Sequence, residues 1–338
     1  MLNSFLFSYF VRFTFVGKRG KSCMNFFYKI ILFAVLITIV IGKTYAQQDP
    51  QFNMGFTNPT FVNPGYAGNN EDDMFLASAF NRLELAGFEG RPVTTVINVQ
   101  GPIDIFGVRS GISATIQNEI IGNLRAPGLN LGYAYRYSLG ENKGEIGIGV
   151  SLGFISSWYV SNEWRTPDGG SDVVIPTQEN AGIAFDAGAG VFYSNSRWFG
   201  GVSVTHLTSP SLGIDKNARY KPTLYLTGGY SFMLDSAKWV LKPMVNVISD
   251  LAQTSYNIAC NVVYEKKYWG GINYRWEQAV AAMVGMELFE GIKIGYSYEY
   301  ATSSLSRFSG GTHEIMLSYS FSVKTPRGIQ RYKSVRYL

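Results

Sequence analysis

Few side chains in this sequence stand at spacings that do covalent or metal chemistry. His206 and His313 are the only histidines, and Cys23 and Cys260 the only cysteines. Neither histidine has a cysteine or a second histidine at metal-ligand spacing, so no zinc-type ligand set is present. A hydrolase needs a serine, a histidine and a carboxylate or amide converging on one point. No group of charged residues shows a nucleophile–base spacing of that kind, and no phosphate-binding glycine motif occurs. The 37 glycines alternate instead with apolar residues, which is the habit of strand glycines. The residues therefore read as non-enzymatic, with no cofactor. What remains is a set of single charges spaced among small polar residues: Arg136, Asp186, Lys242, Glu287, Lys293, Glu299 and Glu314. Their mixed signs suit a hydrated lumen or a paired interior network, and they are the lumen-facing candidates.

The elements that must position them are strands. In Gly144 to Trp158, Ile146, Ile148, Val150, Leu152 and Phe154 fall on one face of an extended chain. Glu145, Gly147, Gly149, Ser151 and Gly153 fall on the other, because successive strand side chains point to opposite faces. The pattern recurs in most of fourteen strands, read at 74–83, 92–103, 110–119, 128–139, 144–158, 181–194, 197–207, 223–234, 239–250, 255–265, 268–277, 279–289, 291–301 and 312–323. One large apolar face and one small polar face in nearly every strand predicts a transmembrane antiparallel β-barrel of the outer-membrane type, whose strands meet lipid outside and a polar lumen inside. Connections after even-numbered strands are short (140–143, 195–196, 235–238, 266–267, 290), with 104–109 somewhat longer, and those after odd-numbered strands are long (84–91, 120–127, 159–180, 208–222, 302–311) except 251–254 and 278, as short periplasmic turns and longer outer loops require. Trp198, Trp239 and Trp269 begin strands and Trp158 and Tyr300 end them, the expected aromatic girdles at the two interfaces.

The two ends differ from the body. Residues 1–46 hold six basic residues and no acid, and from Met24, the expected true start, they read as a signal peptide. Lys29 is its charge, Ile30–Ile41 its apolar run, and cleavage is expected near Ala46. Residues 324–338 hold five basic residues and no acid. Of 29 basic and 24 acidic residues, 18 and 24 are left for residues 47–323, a balance of −6. That body has no basic patch for nucleic acid. Cys260, in phase with Tyr256, Ile258 and Val262, sits on an apolar face and has no cysteine partner in the mature chain.

Residues 47–73 form neither helix nor central strand, since three prolines and two Asn-Pro pairs forbid both. Phe52, Phe56, Phe61 and Tyr66 are too many aromatics for a solvated linker, so the segment is expected to pack, as a plug or belt at the inner mouth of the barrel. Its motifs are Gln48-Asp49-Pro50-Gln51-Phe52, Asn58-Pro59 and Asn63-Pro64-Gly65-Tyr66-Ala67-Gly68. With Arg82, Gly87, Pro92 and Thr94 further on, the chain resembles the PorP/SprF family over 47–323. Gly65 stands where the family commonly has alanine, and Leu85 where it commonly has tryptophan. The resemblance implies an outer-membrane protein of the type IX secretion system. It also implies a non-enzymatic platform for secretion or surface attachment of a partner, such as a secreted gliding adhesin, and contact with periplasmic parts of the machinery. The alternative, from the barrel alone, is a channel for small or apolar solutes. Trp164, Arg165, Val174 and Ile175, in the longest connection, are the candidate partner-binding residues, and 324–338 is a candidate periplasmic docking tail.

Overall fold

The computed structural model describes residues 49–70, 74–140, 144–160, 182–211, 219–234, 238–303, 306 and 309–323. The leader, the connection that holds Trp164, Arg165, Val174 and Ile175, and the basic tail lie outside the described residues. The strands are β1 (Phe75–Leu83), β2 (Val93–Ile105), β3 (Val108–Ile121), β4 (Leu124–Ser138), β5 (Glu145–Tyr159), β6 (Gly182–Ser194), β7 (Trp198–Thr205) and β8 (Thr223–Tyr230). They continue as β9 (Phe232–Leu234), β10 (Trp239–Ser249), β11 (Thr254–Tyr264), β12 (Tyr268–Arg275), β13 (Ala279–Phe289), β14 (Ile292–Ala301) and β15 (Thr312–Phe321). β8 and β9 are two halves of one stave parted at Ser231, because both pair with β10. Counted once, they complete a closed antiparallel barrel of fourteen staves. Closure is made by β15 against β1, from Phe321 opposite Phe75 to His313 opposite Leu83. A closed sheet leaves no row of unpaired backbone groups in lipid.

The alternation sorts as the outer-membrane reading requires. On β5, Ile148, Val150, Leu152 and Phe154 are each more than half exposed, and Gly147, Gly149 and Gly153 are buried. Cys260 likewise faces outward. So many large apolar side chains on the outer wall would be costly in water, at about 25 cal/mol per Å², and cost nothing against acyl chains. One rim carries only short connections, among them Phe106-Gly107, where both residues take positive φ as a type I′ hairpin demands. The other carries 84–92, 160–181, 206–222 and 302–311. By the rule for outer-membrane barrels the short-turn rim is periplasmic, and β1 begins and β15 ends there. Outward rings crowd the same rim. Trp198 packs on Tyr230 at 4.5 Å between centroids, and Trp239 on Tyr264 at 4.3 Å.

Two expectations about the wall need correction. β4 begins at Leu124, so the predicted loop 120–127 is a turn of two residues on the long-loop rim. The strand absorbs Pro127 because proline faces a gap in the ladder: pairing with β5 passes from Arg125 to Gly128. Trp269 is no girdle residue. Its ring turns inward over Gly285 and Gly295 and meets Phe56 edge-on at 5.9 Å. Two facing glycines leave the space for it.

Candidate functional site

The lumen is filled by the chain's own N-terminal segment, Asp49 to Asn70. Its Asn-Pro pairs build its shape. Asn58 and Asn63 each precede a proline at the first position of a 3-10 turn, Pro59–Phe61 and Pro64–Tyr66, and each caps that turn with its side-chain oxygen. Proline gives up no hydrogen bond there and presets φ. The same asparagines then use their Nδ2 donors on the wall. Asn58 donates to Ser78 Oγ and Asn98 Oδ1, both at 2.7 Å, and Asn63 donates to the Val191 carbonyl at 3.2 Å. One side chain thus fixes both the local turn and its docking.

Small wall residues make the space. Gly65 lies so close to β5 and β6 that a Cβ on it would stand 2.8 Å from the carbonyl oxygens of Gly147 and Gly190. A Cβ on Gly149 would reach 2.4 Å from the Pro64 carbonyl carbon, and one on Gly111 would meet the Ala67 carbonyl. The inward glycines that alternate along these strands are the bed of the segment. Above them Phe52, Phe56 and Phe61 pack on a core of Met54, Phe80, Val96, Met283 and Met316. Tyr66 packs separately, edge-on to Phe192 at 4.9 Å.

Three charged groupings hold the segment at different heights. In the first, Glu314 on β15 accepts the backbone N–H of Asn53 at 2.9 Å and of Met54 at 2.8 Å. Arg82 on β1 pairs with that carboxylate at 3.3 Å, with Glu299 at 3.0 Å and with Glu84 at 2.9 Å, and Arg275 also pairs with Glu299, at 3.2 Å. The Arg275 guanidinium reaches the Gln51 carbonyl. In the second, near the short-turn rim, Arg136 donates to the Ala67 carbonyl at 3.0 Å and to Asn69 Oδ1 at 2.7 Å, and pairs with Glu145. Gly68 N–H donates to Gln100 Oε1 at 2.8 Å.

The third grouping is at the long-loop rim. Asp49 accepts from Tyr225 Oη at 2.6 Å and Thr205 Oγ1 at 3.1 Å, and meets His206 Nε2 at 2.7 Å. Nδ1 of the same ring stands 2.9 Å from Asp186 Oδ2, an ion pair whose N–H is poorly aimed. Tyr220 stacks on the imidazole at 4.7 Å. His206 takes φ +54°, a strained conformation for a non-glycine residue just past β7, and it turns the ring into the lumen. Burial disfavours the imidazolium, but the Asp49 and Asp186 carboxylates outweigh it and push its pKa up to about 10. Burial also raises the Asp49 carboxyl, and the His206 charge and hydrogen bonds more than reverse that, so its pKa lies below the usual value.

Of the lumen-facing candidates, Arg136, Asp186, Glu299 and Glu314 are buried and belong to these groupings. Lys242, Glu287 and Lys293 lie in the half of their strands nearer the short-turn rim and are only partly buried, with Glu287 accepting from Gly291 N–H. The segment does not sit at the inner mouth as a belt. It crosses the whole lumen, because bonding partners line the wall from Thr205 at one rim to Arg136 near the other. Residues the sequence reading passed over complete the site. Arg275 is in phase with inward Asn273 and Gly271, and His206 carries no sequence signal beyond being one of two histidines without metal-ligand or catalytic spacing. Arg82, Pro92 and Thr94 frame the β1–β2 hairpin, where the Glu84 N–H donates to the Pro92 carbonyl at 3.0 Å, and Gly87 supplies a positive φ in its loop. Between the segment and β3–β7 a cavity of about 50 Å³ remains, lined by Phe61, Thr115, Ser151, Gly188 and Thr205 among others. That is room for a few waters.

A family profile described as type IX secretion system membrane protein PorP/SprF matches residues 44–319. The chain belongs to that family. Among individually curated proteins none matches it. Among solved structures it is similar to the TodX deltaS2S3 mutant monoaromatic hydrocarbon channel, at 11% identity and TM-score 0.50, covering 85% of this chain and 98% of that one. It is also similar to the CymD monoaromatic hydrocarbon channel, at 10% identity and TM-score 0.50, covering 80% and 94%. The outer membrane protein Omp33 of Acinetobacter baumannii aligns at 9% identity and TM-score 0.42, covering 74% and 98%. At such identities the likeness is one of fold. Family and fold together make this a type IX secretion barrel of the bacterial outer membrane, and not a member of an enzyme family.

Proposed function

We propose that the protein is a non-enzymatic platform on which the type IX machinery secretes or anchors a partner protein of the gliding-adhesin type at the cell surface. The observation that carries this reading is the filled lumen. Asp49 to Asn70 is bonded to the wall near both rims and between them, and the cavity beside it toward β3–β7 is only about 50 Å³, so the outer loops and the periplasmic rim are the surfaces left for function. Trp164, Arg165, Val174 and Ile175 are the proposed partner contacts, and the basic tail 324–338 the proposed contact to periplasmic components, by charge steering and tyrosine packing. Native complexes pulled from the outer membrane with the wild type should contain a secreted protein. Deleting 162–178 should lose it while the barrel stays inserted, and deleting 326–338 should lose periplasmic partners instead. Retention of every partner by both deletions would overturn the assignment. The competing reading, a channel for small or apolar solutes, rests on the shared fold alone. It requires that the purified wild-type barrel swell liposomes in a test solute, and the platform reading requires that it does not.

A further inference from the structure

The N-terminal segment runs through the barrel against the direction in which β1 leaves it. Asn69 and Asn70 lie at the short-turn rim, beside Arg136, Ser194 and Gln100, and the chain turns there into β1 at Phe75. Going back along the chain, Gly65 rests against β5 and β6, Asn58 meets Ser78 and Asn98 midway up, and Asn53 meets Ser297 and Glu314 in the upper half. Asp49 ends the path among Thr205, His206 and Tyr225, where β7 ends and β8 begins at the long-loop rim. The path is a single pass from one mouth to the other.

We propose that the amino-terminal end of the mature chain lies at the cell-surface mouth of the barrel, clasped there by the wall at Asp49, although the first strand starts and the last strand ends at the periplasmic rim. Lengths allow no return. Cleavage near Ala46, as the leader pattern indicates, leaves Gln47 and Gln48 ahead of Asp49. Two extended residues reach about 7 Å, against an apolar wall about 25 Å tall. Placing the amino terminus in the periplasm would require the segment to reverse, breaking the Asp49 clasp, both Glu314 bonds and the asparagine staples together. Two consequences follow for the molecule. Its amino-terminal end is part of the surface a protein outside the cell meets, beside the outer loops. Its amino terminus must also be free before the lumen is filled, which puts removal of the signal peptide ahead of barrel closure.

The test is cysteine labelling of full-length protein in cells, in a Cys260→Ser background, with a membrane-impermeant maleimide. Gln48→Cys reports the amino-terminal end. Phe88→Cys, in the exposed β1–β2 loop, reports the outer rim, and Phe106→Cys, in the fully exposed β2–β3 turn, reports the inner rim. The expected result is that Gln48→Cys and Phe88→Cys react on intact cells and Phe106→Cys only after lysis. Reaction of Gln48→Cys only after lysis, or in neither condition, overturns the proposal. So does reaction of Phe106→Cys on intact cells with Phe88→Cys silent, which would invert the barrel. Heat-modifiable migration of each variant on gels shows that the barrel has formed.

Discussion

Replacing Glu314 with glutamine tests how the lumen is held shut. Its two carboxylate oxygens accept two consecutive N–H groups of the segment, Asn53 at 2.9 Å and Met54 at 2.8 Å, and all three residues are buried. The change does not strand a charge. Arg82 keeps Glu299 and Glu84, and the grouping moves from three carboxylates facing Arg82 and Arg275 to two. The loss therefore falls on the segment. A hydrogen bond to a charged group contributes about 1.5–3 kcal/mol, so two contribute about 3–6. Glutamine keeps one neutral acceptor and places an amide donor where the second N–H points, so about 2–4 kcal/mol should be lost. At about 1.4 kcal/mol per tenfold, the opening constant of this stretch should rise about thirtyfold to nearly a thousandfold. Hydrogen exchange of the purified barrel reads it directly. The Asn53 and Met54 amides should exchange faster by that factor, with amides in the β4–β5 ladder unchanged. Exchange at 53 and 54 within threefold of wild type would mean that packing of Phe52, Phe56 and Phe61 holds the segment and the carboxylate does not.

Further outcomes follow from the same contacts. Gly65→Ala places a methyl 2.8 Å from two backbone oxygens and should loosen the segment, whereas Gly228→Ala meets nothing within 4 Å and should leave it protected, which proteolysis of both variants compares. Trp269→Ala removes the ring that meets Phe56 and should lower the unfolding midpoint in urea more than Trp198→Ala, whose ring faces lipid. The rim clasp should be insensitive to pH across the neutral range. Its histidine share is complete below the ordinary value of 6.5 and is lost only as pH rises through about 10. Its Asp49 share is present above the ordinary 3.8 and is lost as pH falls through its lowered value. Imidazole resonances of His206 in lipid nanodiscs should therefore show no titration between pH 6 and 9, and Asp49→Asn should bring the midpoint down. A wild-type midpoint near 6.5 would refute the charged clasp.

Much of the wall was legible from the sequence because its signal is local. Lipid on one side and a crowded lumen on the other impose a period of two, and that period, clear in most strands, located most staves to within a few residues, including the stave split at Ser231. Pro127 broke it and hid the start of β4. Trp269 misled because a tryptophan at a strand end is read as an interface residue unless the facing positions are known to be Gly285 and Gly295, and those lie on other strands.

The Asn-Pro pairs likewise announced turns and the phenylalanines announced packing, so the sequence by itself determined that residues 49–70 fold irregularly against something apolar. Only the tertiary structure decided against what, and in which direction. Glu314 meets Asn53 across 261 positions of chain and His206 meets Asp49 across 157. Neither partner carries a mark that names the other. Such pairings arise when closure of β15 on β1 fixes which side chains share a height in the lumen. A strand pattern gives each residue its face, but height around a closed barrel is set by the register of all its ladders together.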